Sequence, residues 1–461
     1  MSELNKPSIN EDSKLPTETK KKIVIGVVLA VVMIVLGVLA VKQINKNREE
    51  TPPVIQETVP EDFVFDVDNM HVAKSSWREG SWCAVDKETV TSIHIQPEYD
   101  GPSQTVWVVD EMLFYQTAEG DVYITVGPGV HMLGSMKSAF ANFPNATSIT
   151  GLEYLETSAV TDMSYLFSES SFESVDISTW DTSSVTNFAY MLYNTCNILE
   201  VNMNNLDLSN VVDMSYIFSK CEGVDNIYFE NVDTSHIVTM EGAFDGVGAT
   251  APKGITTLHG TIETSSCTNM AYMFRWAHLT NVNDIVKDFD TSKVTNMKGM
   301  FEHSLNLFEL DLSGWDVSKV TDMSDMFCDI SCLIKLNMEG WNPVSLISAN
   351  KMFWGCYNLR AFNQWISAPN IQYANSMFEN CFEMLDLDVT CFDGATFKEA
   401  DRMFYCVQYV KHIYSNGFTV EEYSYDMFEW CINIEGPTPY TEEDFSSDMA
   451  HTAGYLTPVK K

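Results

Sequence analysis

The 461-residue sequence predicts an α/β solenoid, a stack of about twelve coils of 25–27 residues, each a short helix followed by a short parallel strand. A β-rich cap should precede the stack, and a transmembrane helix should precede the cap. Three observations lead there. A phrase recurs almost unchanged, "SKVTNMKGMFEH" from Ser292 and "SKVTDMSDMFCD" from Ser318. Its closing residue, the anchor of each coil, returns at Phe140, Phe167, Leu192, Phe218, Phe244, Phe274, Phe301, Phe327, Phe353, Phe378, Phe404 and Phe428, in steps of 24 to 30 residues. Within each step the apolar pattern changes period, from three-and-four to two.

In chain order, residues 1–22 form a polar head with five lysines, read as cytoplasmic. Ile23–Val41 is an uncharged apolar run without proline. At ~1.5 Å per residue it spans ~28 Å, close to the ~30 Å hydrocarbon core of a bilayer. Lys42, Lys46 and Arg48 follow it, so the lysine-rich side before it should face the cytoplasm and the rest of the chain the exterior. A cleaved signal peptide is the competing reading, but the run exceeds the usual ~7–15 residues of such a segment. Residues 42–62, with three prolines, form a tether. Residues 63–132 form the cap, where "TVTSIHIQ", "QTVWVVDE" and "GDVYITVG" read as strands.

Residues 133–435 are the repeat. Val294, Met297 and Phe301 lie seven, four and zero residues before the anchor, the spacing of one buried helix face, and Asn296 before the Met suits a helix cap. Beyond the anchor, "ELDLS" and "KLNME" alternate as half-buried strands do. A large apolar residue then closes the coil (Trp180, Trp315, Trp341), followed by an Asp or Asn suited to an Asx turn. Residues 436–461 read as a polar tail.

Acidic residues number 64 against 27 basic, a formal net charge of −37, which excludes nucleic acid as a partner. Eleven cysteines leave at least one thiol unpaired. Cys221, Cys356, Cys381 and Cys431 each stand three past an anchor, so a zipper of bridges or a metal tract competes with a small buried residue filling one niche, the favoured reading. No G-x-S-x-G elbow, H-E-x-x-H pair or complete EF-hand loop occurs. No enzyme activity, catalytic residue, metal, cofactor or small-molecule substrate is therefore expected.

"VTDMSYLF", "VTNMKGMF", "VTDMSDMF", "DTSSVTN" and "LSGWDVSKVTDM" resemble the bacterial surface 26-residue repeat family, related to BspA-like leucine-rich-repeat surface proteins of Firmicutes and mycoplasmas. The resemblance covers roughly residues 130–435 and implies a leucine-rich-repeat-like solenoid on a cell surface, credited with adhesion or protein binding. The expected protein is thus a single-pass cell-membrane protein, held through residues 23–41, that displays its solenoid outside the cell to a host or bacterial surface protein or glycan. An envelope coat without a specific ligand is the alternative, and an enzyme sited in the cap is the remote one.

Two candidate contact regions follow. Outward strand positions, among them Asp176, Asn202, Tyr228, Glu309, Asp311 and Asp388, would make an acidic face for a basic partner or divalent cations, against a plain solvated face. The 30-residue step between Phe244 and Phe274 carries an insertion at "GVGATAPKG", with Trp276 and His278 close behind it as a possible contact site.

Overall fold

A computed structural model describes residues 82–109, 112–126, 131–251, 256–360, 365–441, 443–451 and 453–458, all within the unit Val59–Lys461. The head, the apolar run 23–41, the tether 42–62 and the start of the cap lie outside the described residues.

The cap is a five-stranded sheet because its strands alternate as a one-sided sheet requires. Thr105–Val109, Met112–Gln116, Asp121–Thr125, Ser92–Gln96 and Ser148–Thr150 lie side by side in that order. Ile93, Ile95, Phe114, Val122 and Ile124 point inward. Ser92–Gln96 is parallel to both its neighbours, and its pairing with Ser148–Thr150 joins the cap to the first coil. Trp82 seals that joint, buried against Phe114, Phe140 and Phe143.

Beyond the cap runs a β-solenoid of about twelve coils, and the stacked column of anchors is there. Phe301, Phe327, Phe353, Phe378, Phe404 and Phe428 follow one another with ring centroids 5.3–5.8 Å apart. A second column, Phe289, Trp315, Trp341 and Trp365, runs beside it at 6.2–6.3 Å. Trp180, Trp315 and Trp341 each donate the indole N–H to a carbonyl of the preceding coil, at Leu152, Val286 and Leu312. The coil-closing aspartates form the expected Asx turns: Asp181, Asp207, Asp233, Asp290 and Asp316 each accept the backbone N–H two residues on, at 2.9–3.0 Å. Short parallel strands also form after the anchors, as in Glu309–Asp311 with Lys335–Asn337.

The predicted helix does not form. Each "TDMSxMF" phrase is two consecutive tight turns; the described repeat holds α-helix only at Val282–Val286, where a strand would otherwise lie, and single 3-10 turns at Leu152–Tyr154 and Thr390–Phe392. The backbone N–H groups alternate between two kinds of partner. In the coil of Phe327, Met323, Asp325, Phe327 and Asp329 donate to carbonyls of the next coil at Ser348, Asn350, Met352 and Trp354, at 2.6–2.9 Å. Between them, Met326 and Cys328 donate three residues back, to Met323 and Asp325. This pattern needs left-handed backbone two residues before and two after the anchor, as at Asp325 (φ 59°) and Asp329 (φ 56°). Met323, Met326 and Phe327 still point inward, so the three-and-four spacing that suggests a helix is equally the spacing of this double turn. The residue expected to cap a helix does cap: Asp322 accepts Ser324 N–H at 2.8 Å, at the start of a turn.

A left-handed L-residue costs roughly 1–2 kcal/mol, and glycine is exempt. Lys351, exposed at φ 55°, discriminates the double turn from a helix. The Lys351→Gly variant is expected to be more stable than Lys351→Ala by about 1 kcal/mol, whereas a helix would favour alanine by a similar amount. Urea melts of the two variants decide between these orders.

At the far end, residues 436–458 fold back over the last coil. Phe428 N–H donates to Phe445 O at 2.8 Å, and buried Tyr455 sets its ring edge-on to Phe428. Leu456–Thr457 adds a strand beside His412–Tyr414.

Candidate binding surface

The outward strand positions are occupied by paired groups. Asn202, Asp311 and Asp388 end their strands, whereas the strand expected around Asp176 does not form; all four accept the N–H two residues on, from Asn204, Ser313, Thr390 and Ser178, at 2.9–3.1 Å. Asp311 also accepts Asn337 Nδ2 at 3.0 Å. Glu309 faces Lys335 at 3.8 Å, an exposed pair of the kind worth at most ~1 kcal/mol. Tyr228 stacks on His259 with centroids 4.6 Å apart, and Asp386 meets His412 at 2.7 Å. The face therefore alternates acid with base, amide or ring along the stack.

The turn aspartates make stability depend on acid. Hydrogen bonds from the following serine hold Asp176, Asp181, Asp207, Asp233, Asp290, Asp311 and Asp316 below the usual carboxylate range. A carboxyl depressed in the folded state stabilises fully above its unfolded value, near pH ~4, and that contribution is lost as pH falls through the folded value. Glu302, Asp325 and Glu429 act in the opposite sense, since burial raises all three. Glu156, held low by hydrogen bonds from Ser158, joins the seven aspartates, and with eight groups against three the melting temperature is expected to fall steadily from about pH 5 downward. Thermal melts across that range test it, and a rise on acidification would contradict it.

A second surface gathers where the anchors' flanking residues stack. One residue past successive anchors stand Asp245, Arg275 and Glu302; two past stand Gly246, Trp276, His303 and Asp329. Arg275 grips Asp245 in a two-pronged pair, Nε to Oδ1 at 3.0 Å and Nη2 to Oδ2 at 2.6 Å, and its guanidinium lies 4.5 Å from the Tyr272 ring centroid. Burial raises the Glu302 carboxyl, and that group lies 3.6 Å from His303 Nε2. His303 Nδ1 meets Asp329 Oδ2 at 3.0 Å, and its ring stacks on Trp276 with centroids 4.1 Å apart. Trp276 remains 45% exposed. Of the two residues singled out near the insertion, Trp276 joins this cluster. His278 sits two residues further on, its carbonyl accepting Thr256 N–H at 2.7 Å. Asp245, Arg275, Glu302, His303 and Asp329 are not apparent from the strand pattern. Their common offset from the anchors is the signal that finds them.

Four of the eleven cysteines share one local role. Cys221, Cys356, Cys381 and Cys431 donate S–H to the carbonyl of the preceding anchor, at Leu192, Phe327, Phe353 and Phe404, over 2.9–3.1 Å. Ser170 and Ser304 donate from the same position to Phe140 and Phe274. Among the described residues all eleven thiols are free, and burial pushes that of Cys221 up to about 12.

The model of one protein family, described as "Mycoplasma protein of unknown function, DUF285", matches residues 134–258, 249–368 and 334–436. No curated protein and no solved structure matches the chain. The three matched spans run together from the first anchor to the last, and on that coverage the chain belongs to the DUF285 family of Mycoplasma proteins of unknown function.

Proposed function

We propose that this protein is a membrane-anchored surface protein, of the BspA-like kind, whose solenoid is a non-catalytic scaffold for adhesion or for binding protein or glycan. One observation carries the reading: the coils are alike inside and different outside. Inward positions repeat Met and Phe, as in Met297, Met300, Phe301, then Met323, Met326, Phe327. Outward positions vary from coil to coil, as in Asn194, Lys220, Trp276, His303 and Asp329 at the offset two past the anchor. A rod of constant core and changing surface suits contacts spread along its length. A broad open hollow of about 550 Å³ along Thr321, Ile347, Tyr373 and Glu399 has the same shallow character. The apolar run Ile23–Val41 with its lysine flanks supports anchoring and display.

Antibody against the repeat should label intact cells, and disrupting the gene should reduce attachment to host cells severalfold. Labelling only after permeabilisation would refute surface display. Full labelling with unchanged attachment would favour the coat.

A further inference from the structure

The position two past the anchor forms a ladder of largely solvent-facing side chains, and glycine leaves two of its rungs bare, at Gly246 and Gly355. Backbone hydrogen bonds set the order: Lys220 N–H to Asp245 O, Gly246 N–H to Arg275 O, and Trp276 N–H to Glu302 O, at 2.7–2.8 Å. Lys220, Gly246, Trp276 and His303 therefore occupy successive rungs. One face of Trp276 lies on His303, and Gly246, on the rung before it, has no side chain. Glycines elsewhere in the double turns are already covered. A Cβ on Gly242 would strike the Tyr216 ring at 2.2 Å, and one on Gly299 the Tyr272 ring at 2.5 Å. A Cβ on Gly355 would meet Asp329 Oδ1 at 3.0 Å, whereas the atoms nearest a Cβ on Gly246 are the Lys220 backbone and Cγ, at an ordinary 3.6–3.9 Å. Beyond them the Lys220 ammonium is drawn away, 5.0 Å from the Tyr193 ring centroid.

We infer that this slot, with Gly246 as floor and Trp276 and Lys220 as walls, binds one pyranose ring of a neutral glycan. The inference deepens the binding function proposed above. Walls two coils apart stand ~9.6 Å from each other, so an inserted ring would sit ~4.8 Å from each. A flat aromatic ring makes its best contacts at ~3.5–4.0 Å and would fit loosely on both sides. A puckered sugar with axial hydrogens fills that thickness, and its partly positive C–H face suits the negative face of indole. The ammonium of Lys220 disfavours a cation here, Arg275 being neutralised by Asp245, while the net charge of −37 disfavours an anionic glycan.

The test uses the full-length chain in a detergent without a sugar headgroup. The probes are the methyl glycosides of glucose, galactose, mannose, N-acetylglucosamine and N-acetylgalactosamine, followed by saturation-transfer NMR. At least one should bind with a Kd of about a millimolar. Gly246→Asn should weaken that binding about tenfold or more by filling the slot. Asn142, Asn194 and Asn380 already hold this position at φ 62°, 58° and 66°, so the variant should melt like the parent. Trp276→Ala should weaken binding equally, and Trp430→Ala, an exposed Trp on a distant rung, should not. The inference is overturned if no glycoside binds, if Gly246→Asn retains the affinity, or if N-acetyltryptophanamide displaces the glycosides at lower concentration. Any of these with intact surface labelling and attachment removes the sugar slot and leaves the wider function standing.

Discussion

Phe327→Ala is expected to cost about 3–5 kcal/mol, the range for emptying a fully buried aromatic site. Phe327 has no exposed surface and lies between Phe301 and Phe353, with centroids 5.8 and 5.5 Å away. Its loss leaves a cavity bordering two coil interfaces at once. In a stack where each coil is held only by its neighbours, a central defect divides the rod into two shorter ones. Urea unfolding should therefore become broader and split, with the two halves melting separately. Phe428→Ala, at the end of the column, should shift the transition without splitting it. A single sharp transition for Phe327→Ala, displaced by less than about 1 kcal/mol, would mean the anchors do not hold the coils together.

Gly151→Ala is the second large effect, and it acts on the joint between cap and stack. Gly151 has φ +79°, and a Cβ there would stand 1.7 Å from the carbonyl oxygen of Ile95. Left-handed alanine costs roughly 1–2 kcal/mol, and relieving the overlap by moving backbone adds about 1–3 more. The displaced segment follows directly on Ser148–Thr150, the strand that pairs with Ser92–Gln96. Amide exchange should therefore speed up across residues 92–125 while the coils beyond Phe301 keep their protection. Uniform loss of protection along the whole chain would contradict a cap held on through this joint.

Much of this architecture was legible because it repeats. Twelve anchors at a near-constant interval gave the stack, the alternation in "ELDLS" gave a strand, and the aspartate after Trp315 gave its turn. The helix was the misreading, and its cause is physical. A helix and a double turn both place residues at minus four, minus one and zero on one side, so hydrophobic spacing does not separate them. What separates them is handedness, and the sequence does mark it: Gly242, Gly246, Gly299 and Gly355 all fall two residues before or after an anchor. Most other coils put Tyr, Asp, Lys or Arg there, which hides the mark. The acidic face was read from strand positions alone, without the base or amide that the neighbouring coil brings alongside. The cluster around Arg275 and His303 stayed hidden for the same reason, since its partners lie 26 to 30 residues apart and meet only once the coils are stacked.

The fold-back of residues 436–458 has a consequence for the molecule's solubility. Without it, the amide of Phe428 and the face of its ring would become a sticky terminus, offering to any incoming chain the same donors that each coil offers the next. Copies joined head to tail by such a contact need never close into a ring, and would grow as filaments. This short segment covers the donor and the ring through which one stack would otherwise extend into the next.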